Sequence, residues 1–121
     1  MKQFEELWEL VKYLRVQCPW DKEQTFDTAK DHMMEEAKEV KEAIVKEDWP
    51  NLCEELGDTL FNLLFVCQLA EEAGHFDLKK MLEDIHEKMV RRHPHVFGDI
   101  KASSPEEAMK AFLEAKKKEK K

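Results

Sequence analysis

Four prolines and three glycines are all the chain-breaking punctuation in these 121 residues, and the long stretches between them repeat their apolar residues at helical spacing. Phe4, Leu7, Trp8, Val11 and Leu14 recur every three or four positions, which predicts a first helix ending before Cys18-Pro19. The residue ahead of a proline is pushed out of helical geometry. A loop through Trp20–Thr25 is expected next, then a helix from about Asp27 to Lys46 with Met33, Ala37, Val40 and Ile44 as its core stripe. Asp48-Trp49-Pro50 ends that helix and opens a third, because proline is tolerated in a first helical turn. Gly74 is suited to a left-handed cap at its far end, near Glu72. Asp77 is placed to cap a fourth helix carrying Leu78, Met81, Leu82, Ile85 and Met89, which stops before His93-Pro94. After a turn over 95–99, Ser104, Pro105 and Glu107 read as N-cap, N1 and capping box of a short last helix bearing Ala108, Ala111, Phe112 and Ala115. The fold class is all-α, in one domain over 1–121, with a lysine-rich tail at 116–121.

The segment Leu60–Ala70 is apolar on nearly all sides, unlike a helix with one buried face. Something must cover both faces, and a second copy of the chain is the favoured cover. The longest purely apolar run, Leu63–Cys67, is far too short to cross a bilayer, and Met1–Glu6 lacks the apolar core of a secretory signal. A cytoplasmic location is the default. Cys18, Cys53 and Cys67 form no Cys-x-x-Cys pair and are expected to be reduced structural thiols.

Charge narrows the partners. The formal net charge is −7, yet residues 116–121 alone carry +4, leaving −11 on residues 1–115. A body this acidic argues against binding nucleic acid or an anionic membrane. It either repels itself or gathers its carboxylates around a cation. Glu35, Glu36 and Glu39 stand at i, i+1 and i+4 of the second helix, within an arc of about 100°, with Glu36 and Glu39 bordering the apolar stripe. Glu54, Glu55 and Asp58 repeat the arrangement on the third. Carboxylates at the edge of a core must be protonated, paired or neutralised by metal. Oxygen ligands without thiolate or imidazole select Mg²⁺ or Mn²⁺, with Ca²⁺ a further candidate, over zinc. The implied chemistry is transfer of a phosphoryl or pyrophosphoryl group to water. Each glutamate taken singly also fits a solvated, lysine-laced helix face.

Glu35-Glu36-Ala37-Lys38-Glu39, with fifteen residues between Glu39 and the block Glu55-Leu56-Gly57-Asp58, resembles the signature of MazG-type nucleoside triphosphate pyrophosphohydrolases. The blocks Cys18–Thr25 upstream and Arg91–Phe97 downstream are similar to that family's flanking blocks in the same order. The resemblance runs from about Leu7 to Gly98 and implies an all-helical fold with a four-helix-bundle core, assembled as dimers or dimers of dimers. It also implies Mg²⁺-dependent hydrolysis of a nucleoside triphosphate to monophosphate and pyrophosphate. Glu36, Glu39, Glu55 and Asp58 would be the metal ligands, and Lys88 a triphosphate contact. Where the family often has a tryptophan in the last helix, Phe112 stands here, followed by Lys116; a phenyl ring stacks on a base but offers no indole N–H.

Glu35 is a spare carboxylate able to take a proton from water. His32 and Asn51 lie one turn before Glu36 and Glu55 and are candidate nucleotide contacts, or a helix-surface residue and a cap. Arg92, with Arg91, suits phosphate, but cations also belong at a helix C-terminus. Trp20 either stacks on a base or plugs its loop. His93 and His95 read as a rigid structural turn. Two further functions remain open: a related helical pyrophosphatase acting on dUTP, dCTP or phosphoribosyl-ATP, and a non-catalytic helical dimer that binds a nucleotide or protein.

Overall fold

A computed structural model describes residues 1–119, and every element among them is helical: α1 Lys2–Gln17, α2 Pro19–Glu23, α3 Phe26–Val45, α4 Trp49–Glu72, α5 Leu78–Arg91, α6 Pro94–Phe97 and α7 Pro105–Lys118. The chain divides into two compact units, Met1–Leu78 and Lys79–Lys121. None of the described helices is long and apolar enough to cross a membrane. The all-α expectation holds.

In the first unit α3 packs along α4, and α1 packs on α4 and on α2. Val11, Ala29, Leu64, Phe65 and Leu69 form the buried core, with Phe4, Leu7, Trp8, Phe61, Val66 and Leu78 packed against it. The stripe expected on α1 is thus the one that packs. Val11 and Leu64 are 0% and 2% exposed; truncating a leucine in such a place costs about 2–5 kcal/mol. Cys67 is equally buried, and burial pushes its thiol upward, away from reactivity.

Three expectations need correction. The segment after Pro19 is not a loop but the short helix α2, with proline at its first position. The inward face of α3 is rotated from the expected stripe: Ala29 and Ala43 are buried, Met33, Glu36 and Val40 half-buried, while Ala37 and Ile44 face outward. A carboxylate therefore sits in the middle of the packed face. The turn after Pro94 is a single helical turn, α6, and the last helix is fourteen residues long, continuing through the lysines to Lys118. Lys120 and Lys121 of the expected tail lie outside the described residues.

Local signals explain most boundaries. Thr25 and Thr28 cap α3 reciprocally, each side chain accepting from the other's backbone N–H. Asp48 accepts from Asn51 N–H at the start of α4. Gly74 takes φ 77° just beyond its end, the left-handed conformation expected of a glycine there. Glu47 takes φ 54° between α3 and α4, which a side chain adopts only at some cost. In the second unit, Ser104 accepts from Glu107 N–H, and Glu107 reaches back to Ser103 N–H and hydroxyl. α6 and α7 pack together there, with Ala111 buried.

Candidate metal centre

Because α3 and α4 pack side by side with their glutamates facing, the two acidic groups converge. One oxygen each of Glu36, Glu39 and Glu55 lie within 4.8 Å of one another, and the same holds for Glu54, Glu55 and Asp58. Glu55 belongs to both groups and is only 8% exposed. All four residues expected as ligands, Glu36, Glu39, Glu55 and Asp58, are thus brought together. Glu54 joins them. Glu35 stays exposed on α3 beside Glu36.

The electrostatics show a site short of positive charge. Oε2 of Glu36 and Oε2 of Glu55 are buried without a hydrogen-bond partner among the described residues. The Glu55 carboxyl is raised from its ordinary 4.5 to about 7, first through a hydrogen bond with Glu39, then by burial and by repulsion from Glu39, Glu36 and Asp58. Burial raises Glu36 too, followed by repulsion from Asp58 and Glu39. Buried, unpartnered, mutually repelling oxygens are relieved by a cation. An all-carboxylate set suits a hard divalent ion.

One turn from the carboxylates lies an aromatic cavity. His32 precedes Glu36 by four residues on α3, and Asn62 follows Asp58 by four on α4. Both line a cavity closed by Trp20, Gln24, Phe61 and Phe65. The Trp20 and His32 rings are 5.5 Å apart, tilted by 59°. Two expected site residues, Trp20 and His32, are therefore side by side.

Arg15, on α1, holds the Trp20 segment in place and was not legible as a site residue. Its Nη1 donates to the carbonyls of Asp21, Lys22 (3.1 Å) and Gln24 (3.1 Å), completing the C-terminal end of α2. Its Nε and Nη2 donate to Glu72 at the end of α4, holding the Glu72 carboxyl below its usual range. The guanidinium also lies 5.8 Å from the Phe65 ring centre. Asn51 is half-buried in the first turn of α4, where Asp48 caps its backbone.

Lys88, Arg92, Phe112 and Lys116 belong to the second unit. There the Arg92 guanidinium lies 5.8 Å from the Phe112 ring centre, and His93 meets that ring edge-on at 5.4 Å. Arg91 Nε and Arg92 Nη2 both donate to Glu119, at 2.7 and 2.8 Å, so both arginines are engaged by a carboxylate of their own chain. Lys88 is half-buried near the end of α5, and Lys116 is exposed in the last turn of α7.

The MazG nucleotide pyrophosphohydrolase domain family matches residues 24–97. An Escherichia coli K12 protein named nucleoside triphosphate pyrophosphohydrolase is 42% identical over 98% of this chain and 46% of its own length. A Thermotoga maritima nucleoside triphosphate pyrophosphohydrolase/pyrophosphatase MazG is 40% identical over 97% of this chain and 45% of its own. This chain spans less than half the length of either relative. The crystal structure of a mazG-related protein from Thermotoga maritima superposes with TM-score 0.81 at 35% identity, covering 93% of this chain and 98% of that one. On these matches, the chain belongs to the MazG nucleotide pyrophosphohydrolase family.

Proposed function

We propose that this chain hydrolyses nucleoside triphosphates to the monophosphate and pyrophosphate, with Mg²⁺, or Mn²⁺ in its place, held by Glu36, Glu39, Glu55 and Asp58. The observation that carries the reading is the pair of buried, unpartnered oxygens on Glu36 and Glu55 at the meeting point of four carboxylates. When bound, the ion supplies neutralisation of phosphate charge and a more acidic water. Glu35, exposed beside Glu36, is a spare carboxylate that would take a proton from water at the site. The carboxylates keep the site closed to anions until the ion arrives. Trp20 and His32, one turn away, supply a stacking surface for the base, a spacing that suits a nucleotide, and Asn51 adds a polar contact. In the second unit, Lys88, Arg92, Phe112 and Lys116 are proposed nucleotide contacts.

The family match crosses the boundary between the two units, which supports reading 1–121 as one domain. Leu56, Leu60 and Leu63, at i, i+4 and i+7 of α4, are 52%, 38% and 44% exposed. A second copy of the chain is the proposed cover for this stripe, giving a homodimer or a dimer of dimers. With the acidic first unit, the proposal includes no nucleic-acid or membrane partner and a cytoplasmic location.

The test is to incubate the chain with a panel of canonical and modified triphosphates, with Mg²⁺ or with EDTA, and to assay both phosphate products. Pyrophosphate release that needs Mg²⁺ is expected. Orthophosphate release rejects the proposed bond. Turnover confined to dUTP, dCTP or phosphoribosyl-ATP assigns the narrower pyrophosphatase, and saturable nucleotide binding without turnover assigns a binding module.

A further inference from the structure

The cavity beside the carboxylates contains a polar group that the reaction does not use. Gln24 is 9% exposed and fixed at three points: its backbone N–H donates to Asp21 O (3.3 Å), its carbonyl accepts from Arg15, and its side-chain Nε2 donates to Trp20 O (3.1 Å). A backbone carbonyl only accepts, so the amide orientation is determined. Oε1 is left buried, without a partner among the described residues, in a side chain that lines the cavity. Asn62 also lines the cavity, its Nδ2 donating to Asp58 O at 2.9 Å. A primary amide carries two N–H donors, of which Gln24 gives one to Trp20 O; its oxygen is the group left buried and unpaired.

We propose that Gln24 Oε1 selects nucleobases that carry an exocyclic amino group, so that cytosine-type substrates are favoured over uracil and thymine. This rests on the reading of Trp20 and His32 as the base-stacking pair. An exocyclic amino group donates to that oxygen. Uracil presents a carbonyl oxygen at the same ring position, acceptor against acceptor, and leaves Gln24 Oε1 unpaired. A site built to bond a donor rejects the analogue that lacks it far more strongly than a merely apolar pocket rejects an extra group. The cavity, partly open beside Trp20, holds about 20 Å³, one water molecule, so a ring would enter only with the Trp20 side chain, 57% exposed, turned outward.

The experiment compares CTP with the triphosphate of 2-pyrimidinone riboside, the same ring without the amino group, in kcat/KM of the full chain. In parallel, the corresponding monophosphates are titrated while the Trp20 indole N–H is followed by NMR, assigned with Trp20→Phe. Wild type is expected to lose about 10- to 100-fold in both measurements when the amino group is removed, and UTP to fall with the analogue. Gln24→Met is expected to bring the pair within about 2-fold of each other. Should that variant not fold, the wild-type comparison still decides. Monophosphate preference without any turnover upholds the pocket and removes the pyrophosphohydrolase reading. Normal turnover with equal use of CTP and its analogue overturns the proposal, leaving a cavity that only stores a water. An unmoved Trp20 resonance also overturns it.

Discussion

Replacing Arg15 with methionine isolates the contact that fixes the Trp20 segment. Methionine keeps an unbranched apolar stem and removes the guanidinium, with its position over the Phe65 ring. Six polar contacts go: three carbonyls of α2 and its C-cap served by Nη1, and three bonds from Nε and Nη2 to the Glu72 carboxylate. A hydrogen bond to a charged group contributes about 1.5–3 kcal/mol, but one nitrogen with two hydrogens shares itself among the three carbonyls, so they count as roughly two bonds. The Glu72 side chain is 38% exposed, and solvent screening holds that pair to about 0–1 kcal/mol. Immobilising the arginine side chain costs up to about 2 kcal/mol. The balance is a loss of about 1–5 kcal/mol, with a middle value worth roughly 10 °C in melting temperature for a chain of this size. Urea unfolding followed by circular dichroism measures it directly, with an unchanged slope and a lower midpoint. The Glu72 carboxyl, depressed in the fold chiefly by Arg15, stabilises wild type above its unfolded pKa and ceases to as pH falls through its folded value. That part of the acid limb disappears in the variant. Arg15→Lys restores the charge beside Glu72 but not the three-carbonyl contact, and should recover less than half of the loss. A midpoint for Arg15→Met within about 0.5 kcal/mol of wild type refutes the reasoning.

Glu36→Gln or Asp58→Asn should lower turnover by about 100-fold or more while leaving the helical signal intact, checked by pyrophosphate assay alongside circular dichroism. Without divalent metal, the melting temperature should fall as pH rises. A carboxyl whose folded pKa lies above its unfolded one is stabilising below the unfolded value and loses that contribution through the folded one, here between 4.5 and about 7 for Glu55. Saturating Mg²⁺ should remove the slope, raising the melting temperature more at pH 8 than at pH 5, because protons and metal compete for the same oxygens. Glu47→Gly should stabilise by about 0.5–1 kcal/mol, since glycine adopts the observed φ of 54° without strain; thermal denaturation reads it. Leu60→Asp should convert a dimer to a monomer in analytical ultracentrifugation if the exposed α4 stripe is the interface.

Much of this fold is legible because its punctuation is chemical. Pro50 after Asp48, Gly74 and the Ser104–Glu107 box each specify a helix end by a local bond or a backbone conformation, and each is found where expected. The acidic cluster is legible for the same reason: spacing along one helix fixes a face. The errors arise where distant groups decide. On α3 the apolar pattern favours Ala37 and Ile44 inward, yet the packed face carries Glu36, so the site displaces the amphipathic optimum. α2 is too short to show a period, and its carbonyls are completed by Arg15, before it in sequence and itself anchored to Glu72, fifty-seven residues on. Gln24 is visible in the sequence only as one letter of a block. Its unpaired oxygen is recognised only once the fold has buried it, with Nε2 turned to the Trp20 carbonyl.

In the proposed reaction, water would attack the α-phosphorus of a nucleoside triphosphate at the four converging carboxylates. Hydrolysis in ¹⁸O-labelled water with Mg²⁺, analysed by mass spectrometry of both products, tests it directly. The expected result is label in the nucleoside monophosphate, unlabelled pyrophosphate, no reaction with EDTA, and turnover about 100-fold or more lower in Asp58→Asn. Label in pyrophosphate, or undiminished turnover in EDTA, contradicts it.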